Sequence, residues 1–219
     1  MSTLKHILSI LPEPIRDCYL NYKYTKQLNV WKSKGCPLPP PHIVKQLVIK
    51  SYQKTYNVDT LIETGTYLGD MVYAQRKIFK KIYSIELSKQ LQERAVKRFK
   101  KYSNIEILQG DSGVVLNSII KNLNNKSIFW LDGHYSGGFT AKGSMDCPII
   151  EELNTIFKSK YEHIILIDDA REFNGENDYP SIKELESLIL NSGFPNSSLT
   201  IQDDIIRIEL KYSAYPFCI

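Results

Sequence analysis

Five short apolar runs, each stopping at a carboxylate or a polar turn, restrict this chain more than any other feature. They cover residues 58–62 followed by Glu63, then 81–86, 105–108, 127–132 and 163–169. The first of them reads as a buried strand that delivers a backbone loop to a ligand. Between the runs lie stretches with helical periodicity at residues 71–79, 91–102, 114–123 and 147–157, with Pro148 suited to a first turn, and 181–190 follows the last run. Strand and helix in strict alternation predict an α/β fold, a mostly parallel sheet with helices on both faces. Residues 198–202 and 205–210, joined at Asp203-Asp204, predict a closing antiparallel pair. Ligands of such sheets sit beyond the carboxyl ends of the strands. Glu63, Glu86, Asp111, Asp132, Asp168 and Asp169 are therefore expected to converge on one rim.

A length of 219 residues accommodates one domain of this kind and an extension. Pro37-Leu38-Pro39-Pro40-Pro41 reads as a stiff linker, separating a helical N-terminal extension (1–41) from the main domain (42–219). Past it, Ile43, Leu47, Val48 and Tyr52 recur at helical spacing. Ahead of it, Tyr19, Tyr22, Tyr24 and Trp31 are expected to serve packing, or contact with a second copy in a homodimer, before substrate contact. The net charge of +4 is modest, and the basic clusters at Arg76-Lys77, Lys80-Lys81 and 97–101 fall inside helical segments. Without interleaved aromatics they read as solvated helix faces, not as a nucleic-acid surface. Cys18, Cys36, Cys147 and Cys218 show no CxxC spacing, which argues against zinc and for a reducing compartment. No apolar run is long enough to span a bilayer and residues 1–11 make a poor signal peptide, so a cytoplasmic protein is expected.

The first strand delivers Glu63-Thr64-Gly65-Thr66-Tyr67-Leu68-Gly69, in which two glycines permit a tight turn and close approach to a ligand. A second acid, Glu86, follows Glu63 after 86 − 63 = 23 residues, a spacing suited to a carboxylate that holds two ribose hydroxyls. The pattern departs from G-x-G-x-x-G. Glu63 beside the loop would repel a pyrophosphate and favour a positively charged cofactor.

On Glu63 to Gly69, Glu86, Gly110-Asp111-Ser112 and the terminal strand pair, residues 42–211 resemble the class I S-adenosylmethionine-dependent methyltransferases. The resemblance implies a Rossmann-like sheet and S-adenosylmethionine as cofactor. It gives the methionine part of the cofactor to the loop residues Thr64, Gly65, Thr66, Tyr67 and Gly69 with Glu63, the ribose to Glu86, and the adenine to Asp111 and Ser112.

Asp132, Asp168 and Asp169 form a second constellation. Three carboxylates at neighbouring strand ends repel one another unless a cation sits between them, and hard oxygen donors suit Mg²⁺, Mn²⁺ or Ca²⁺; taken singly, each is a helix or loop cap. Trp130-Leu131-Asp132-Gly133-His134-Tyr135-Ser136-Gly137-Gly138, Asp146-Cys147-Pro148 and Ile167-Asp168-Asp169-Ala170-Arg171 are similar to metal-dependent O-methyltransferases, especially small enzymes found beside glycosyltransferases. This implies methylation of a sugar hydroxyl on a glycan or glycoconjugate, with the metal stabilising the alkoxide. The alternatives are a phenol or catechol O-methyltransferase and a non-catalytic nucleoside-binding module. Catechol enzymes carry a lysine where this chain has Tyr135. His134 is therefore chosen as general base, two residues past Asp132, against the reading of a loop histidine bonded to backbone. Residues 135–147, glycine-rich and aperiodic, are expected to form a lid, and Arg171 to contact the acceptor or steady the acids.

Overall fold

The computed structural model describes residues 11–133 and 148–213. An N-terminal helix α1 (Glu13–Ser33) and a helix α2 (His42–Tyr56) precede β1 (Thr60–Thr64). There follow α3 (Asp70–Gln75), β2 (Lys81–Glu86), α4 (Lys89–Phe99), β3 (Ile105–Gln109), α5 (Ser112–Asn122) and β4 (Ile128–Leu131). After residue 147 come α6 (Ile149–Ile156), β5 (Ile164–Ile167), a 3₁₀ turn (Ala170–Glu172), α7 (Ile182–Leu190), β6 (Ser198–Gln202) and β7 (Ile205–Glu209). The strands join in the order β3-β2-β1-β4-β5-β7-β6. Pairings from β3 through β5 are parallel, and β7 runs antiparallel to both β5 and β6.

The runs of β1, β4 and β5 are buried on both faces, whereas Glu106 and Gln109 of the edge strand β3 are exposed. Along β4, Ile128 and Trp130 point into one core and Phe129 and Leu131 into the other; along β5, Ile164 and Leu166 part from Ile165 and Ile167 in the same way. The first core is closed by Val48 and Ile49 of α2, Met71 and Val72 of α3, and Ala95 and Phe99 of α4. The second is closed by Leu116 and Ile119 of α5, Leu153 and Ile156 of α6, and Leu185 and Ile189 of α7. Period-two alternation, followed along β1 and one residue past β4 and β5, assigns Glu63, Asp132 and Asp168 to the face that α2 covers.

Two helical expectations shift. The helix after Gly69 ends at Gln75 rather than continuing to Phe79. There the Arg76 guanidinium bonds back to the Tyr73 carbonyl at 2.6 Å, and the Asn104 amide takes the carbonyls of Arg76 and Phe79 at 3.0 and 2.9 Å. Those side chains satisfy the carbonyls left by an early helix end, freeing the chain to enter β2. In α2 the buried face is Val44, Gln46, Val48 and Ile49, while Leu47 is exposed. Apolar spacing alone did not fix which face turns inward. The linker also packs on the extension: the Trp31 indole N–H donates to the Pro37 carbonyl at 2.7 Å, and Pro40 is buried.

Part of the basic surface has a structural use. Arg76 is buried and bonds Glu13 (2.8 Å) and Asp17 (2.6 Å) of α1, with its guanidinium carbon 3.7 Å from the Tyr73 ring centroid. Lys77 reaches Asp17 and Lys101 reaches Glu13, at 2.9 and 2.5 Å. These cations hold the carboxyls of Glu13 and Asp17 below the ordinary carboxylate range, against the opposing effect of burial. Because the folded pKa values are depressed, the clamp stabilises the native state above the unfolded carboxylate pKa. That contribution is lost progressively as pH falls from the unfolded value to the lower folded values. Arg76→Met is expected to lower urea stability by about 1–3 kcal/mol and to speed amide exchange in α1 selectively, an effect that shrinks when the comparison is repeated in strong acid.

Candidate functional site

The strand order reverses between β1 and β4, and the crevice at such a switch point is where open α/β sheets bind ligands. On one side of it stands the loop after β1. Gly65 and Thr66 donate to the Ile85 carbonyl at 2.9 and 3.2 Å, and Gly69 donates to the Thr66 carbonyl at 2.7 Å, closing a tight turn into α3. Gly65 has φ +84°, and a Cβ there would lie 2.2 Å from the carbonyl oxygen of Asp132. Gly69, at φ +74°, would push a Cβ to 2.7 Å from the Phe99 ring. Both glycines are thus demanded by conformation and by contact together.

Beneath the loop Glu63 is fully buried. The Ser84 hydroxyl donates to it, and Ser84 lies 2.6 Å from the Thr66 hydroxyl. Burial raises its pKa from 4.5 to about 8, partly offset by the Ser84 bond and reinforced by Asp132 and Glu86. The expectation of a fixed anion at the loop is revised accordingly. Without a cation nearby Glu63 holds its proton at neutral pH, because desolvation penalises the carboxylate more than one hydroxyl repays it.

Glu86 ends β2 and is held by two backbone groups, the Tyr67 N–H at 2.7 Å and the Ser88 N–H at 2.9 Å, one on each carboxylate oxygen. Loop and acid therefore form one unit, with lone pairs left on each oxygen for further donors. Asp111 caps α5 through the Gly113 N–H at 2.9 Å, and Ser112 opens that helix. This cap is the ordinary role for an acid at a strand end, and it fixes both residues beside Glu86 across the β2–β3 pair.

Across the crevice, Asp132 continues the β1–β4 pairing, its N–H 3.2 Å from the Thr64 carbonyl. Asp168 and Asp169 follow β5, so the expected three carboxylates do end neighbouring strands. Sequence reasoning missed what fills the space between two of them. Lys45 of α2 bonds Asp168 and approaches Asp169 at 3.5 Å. The second Asp168 oxygen accepts the Asp169 N–H at 2.8 Å, and Asp169 pairs with Arg171 at 2.9 Å. Arg171 pairs also with Asp204, which accepts the Arg171 N–H at 2.9 Å and is buried. Burial opposes the charge on Lys45, but Asp168, Asp169 and Asp132 outweigh it and hold the ammonium above the ordinary lysine value. Of the two readings for Arg171, steadying the acids is the one made in contacts.

The donor set expected for a divalent ion does not fit one as built. Among the described residues no group of three or more His, Cys, Asp and Glu side chains is arranged to hold a metal. Asp168 and Asp169 direct oxygens at Lys45 and Arg171 instead. The chosen base His134 and the lid at 135–147 lie outside the described residues. Also among the described residues, no helix is long and apolar enough to cross a membrane.

Solved structures decide the fold. TomG, an O-methyltransferase from Streptomyces achromogenes crystallised with SAM, is similar at TM-score 0.58 and 13% identity over 87% of this chain and 89% of that one. The fold is the Rossmann-like sheet of class I methyltransferases. An O-methyltransferase from Bacillus cereus in complex with SAH agrees at TM-score 0.59 and 14% identity, covering 86% and 90% of the two chains. The SAH-bound methyltransferase PaMTH1 from Podospora anserina agrees at 0.56 and 16%, covering 92% and 98%. No protein-family model matches the chain, and no curated protein matches it in sequence.

Lys45 left a signal in the sequence. It is a lysine three and four residues before Val48 and Ile49 and so shares their side of α2, but only packing showed that this side turns inward. Asp204 left less, since an Asp-Asp turn between strands is common chemistry for a hairpin.

Two outcomes follow from the loop. Gly65→Ala is expected to cost at least about 2 kcal/mol in chemical denaturation, from the positive φ and the collision with a backbone carbonyl. Glu63 gives a pH dependence of opposite sign to that of the α1 clamp. Between 4.5 and about 8 the unfolded chain releases a proton that the native state keeps, so this group makes the protein less stable as pH rises through that window. In Glu63→Gln that component of the slope disappears. Urea titrations of the cofactor-free protein at several pH values across the window measure the difference.

Proposed function

We propose that the chain is an S-adenosylmethionine-dependent O-methyltransferase whose acceptor is a sugar hydroxyl of a glycan or glycoconjugate. The observation that carries the reading is the unit formed by the Gly65–Gly69 turn and Glu86 at the β1–β4 switch point. A tight turn fixed by its glycines and a carboxylate oriented by two backbone N–H groups suit a nucleoside with two ribose hydroxyls to donate. TomG and the Bacillus cereus and Podospora enzymes, which share the fold, hold SAM or SAH. The sulfonium of the bound cofactor supplies an electrophilic methyl group. Glu63, buried beneath the loop and protonated in its absence, is suited to ionise when a cationic ligand approaches.

The acceptor class rests on the Trp130–Gly138 and Ile167–Arg171 phrases and their likeness to small glycan-modifying enzymes. In the transfer the acceptor oxygen forms a bond to the methyl carbon as the carbon–sulfur bond breaks, and the hydroxyl proton passes to a base. His134 is the residue assigned to that proton, next in chain to the β4 end that carries Asp132 and Gly133. The divalent cation expected from the sequence enters no step, because Lys45 and Arg171 already bond the carboxylates it would need.

Calorimetry with S-adenosylmethionine is expected to show one site, weakened about 10- to 100-fold in Glu86→Ala through loss of charge-assisted hydrogen bonds. Labelled methyl transfer should then appear on glycan acceptors and fall by about 10²- to 10⁴-fold in His134→Ala. Transfer to catechols and not to sugars would move the assignment to the phenol class. Absence of any cofactor binding would leave a non-catalytic module.

A further inference from the structure

We infer that Lys45 is the resident cation of this rim, an ammonium standing between Asp168 and Asp169 where a divalent ion would otherwise sit. The inference rests on the methyltransferase reading for its relevance to the reaction, though not for its chemistry. Asp168 is buried and has no solvent to stabilise its charge, so a cation or a proton must be at hand. One of its oxygens accepts the Asp169 N–H and the other meets Lys45. Asp169 adopts φ +53°, which turns its carboxylate from the strand direction toward both Lys45 and Arg171. The result is a chain of alternating charge, Asp168–Lys45–Asp169–Arg171–Asp204, in which each carboxylate has a cationic neighbour.

The position of the ammonium is fixed by the fold. Lys45 lies on α2 between Val44 and the pair Val48 and Ile49, all buried, and its side chain is 14% exposed. The Gln75 amide donates to the Gln46 carbonyl at 3.0 Å, tying the same turn of α2 to α3. A divalent ion entering this rim must first displace a cation whose helix is anchored on both sides. Lys45 is thus a positioning residue. It sets the geometry of Asp168 and Asp169 and provides the positive charge at the β5 end of the crevice.

Mn²⁺ is the probe that separates a filled rim from a metal centre, because it is read by electron paramagnetic resonance without turnover. Full-length wild type and Lys45→Arg are expected to bind no Mn²⁺ at this rim at millimolar ion. Lys45→Gln, with the ammonium removed and the carboxylates exposed, is expected to gain one Mn²⁺ site that the added Asp168→Asn substitution abolishes. An Asp168-dependent Mn²⁺ site in the wild type overturns the inference, and so does failure of a folded Lys45→Gln to bind the ion. Should Lys45→Gln not fold, wild type and Lys45→Arg carry the test, and Mn²⁺ bound at Asp168 in either refutes it. S-adenosylmethionine affinity measured on the same samples is a separate reading. Its absence counts against the methyltransferase assignment and leaves the Mn²⁺ result standing.

Discussion

The backbone of Gly65 lies so close to the carbonyl of Asp132 that no side chain fits between them, and the rest of the site depends on that contact. It joins the loop after β1 to the end of β4 at the one place where the sheet reverses its strand order. With the loop pinned there, Tyr67 directs its N–H to Glu86 and Thr66 places its hydroxyl at Ser84. A single close approach therefore orients the ends of three strands.

Charge is handled differently on the two sides of the crevice. On the β1–β2 side, Glu63 is buried with one hydroxyl partner and retains its proton, a group whose charge state a cationic ligand can change. On the β5 side, Asp168, Asp169 and Asp204 are compensated by Lys45 and Arg171, with charges set by fixed partners. Both arrangements answer the same physical demand, that a carboxylate out of water must be neutralised or paired.

The N-terminal helices are part of this economy. α1 is tied to the main sheet by Arg76, and its Trp31 holds the linker, while α2 covers one core and delivers Lys45 to the rim. Basic residues that read as solvated helix faces in the sequence are in part the anchors of α1. Their partners Glu13 and Asp17 lie some sixty residues earlier, too far for local spacing to reveal the pairing.

The sequence alone determined the alternating α/β order, the closing antiparallel pair and the set of acids at the strand ends. All of these are written in local patterns: apolar runs of strand length, helical periodicity and turn residues. The tight glycine turn at positions 65 and 69 was legible for the same reason, but what the glycines approach, the Asp132 carbonyl and the Phe99 ring rather than a ligand, was not. Tertiary structure decided what the acids do. Whether Glu63 is an anion or an acid depends on its desolvation, and whether Asp168 and Asp169 meet a metal or an ammonium depends on which face of α2 turns inward. Apolar spacing in α2 was consistent with more than one face, and packing against Leu61, Trp130 and Leu166 chose the one that carries Lys45. Burial and long-range pairing are properties of the assembled sheet, and no window of sequence contains them.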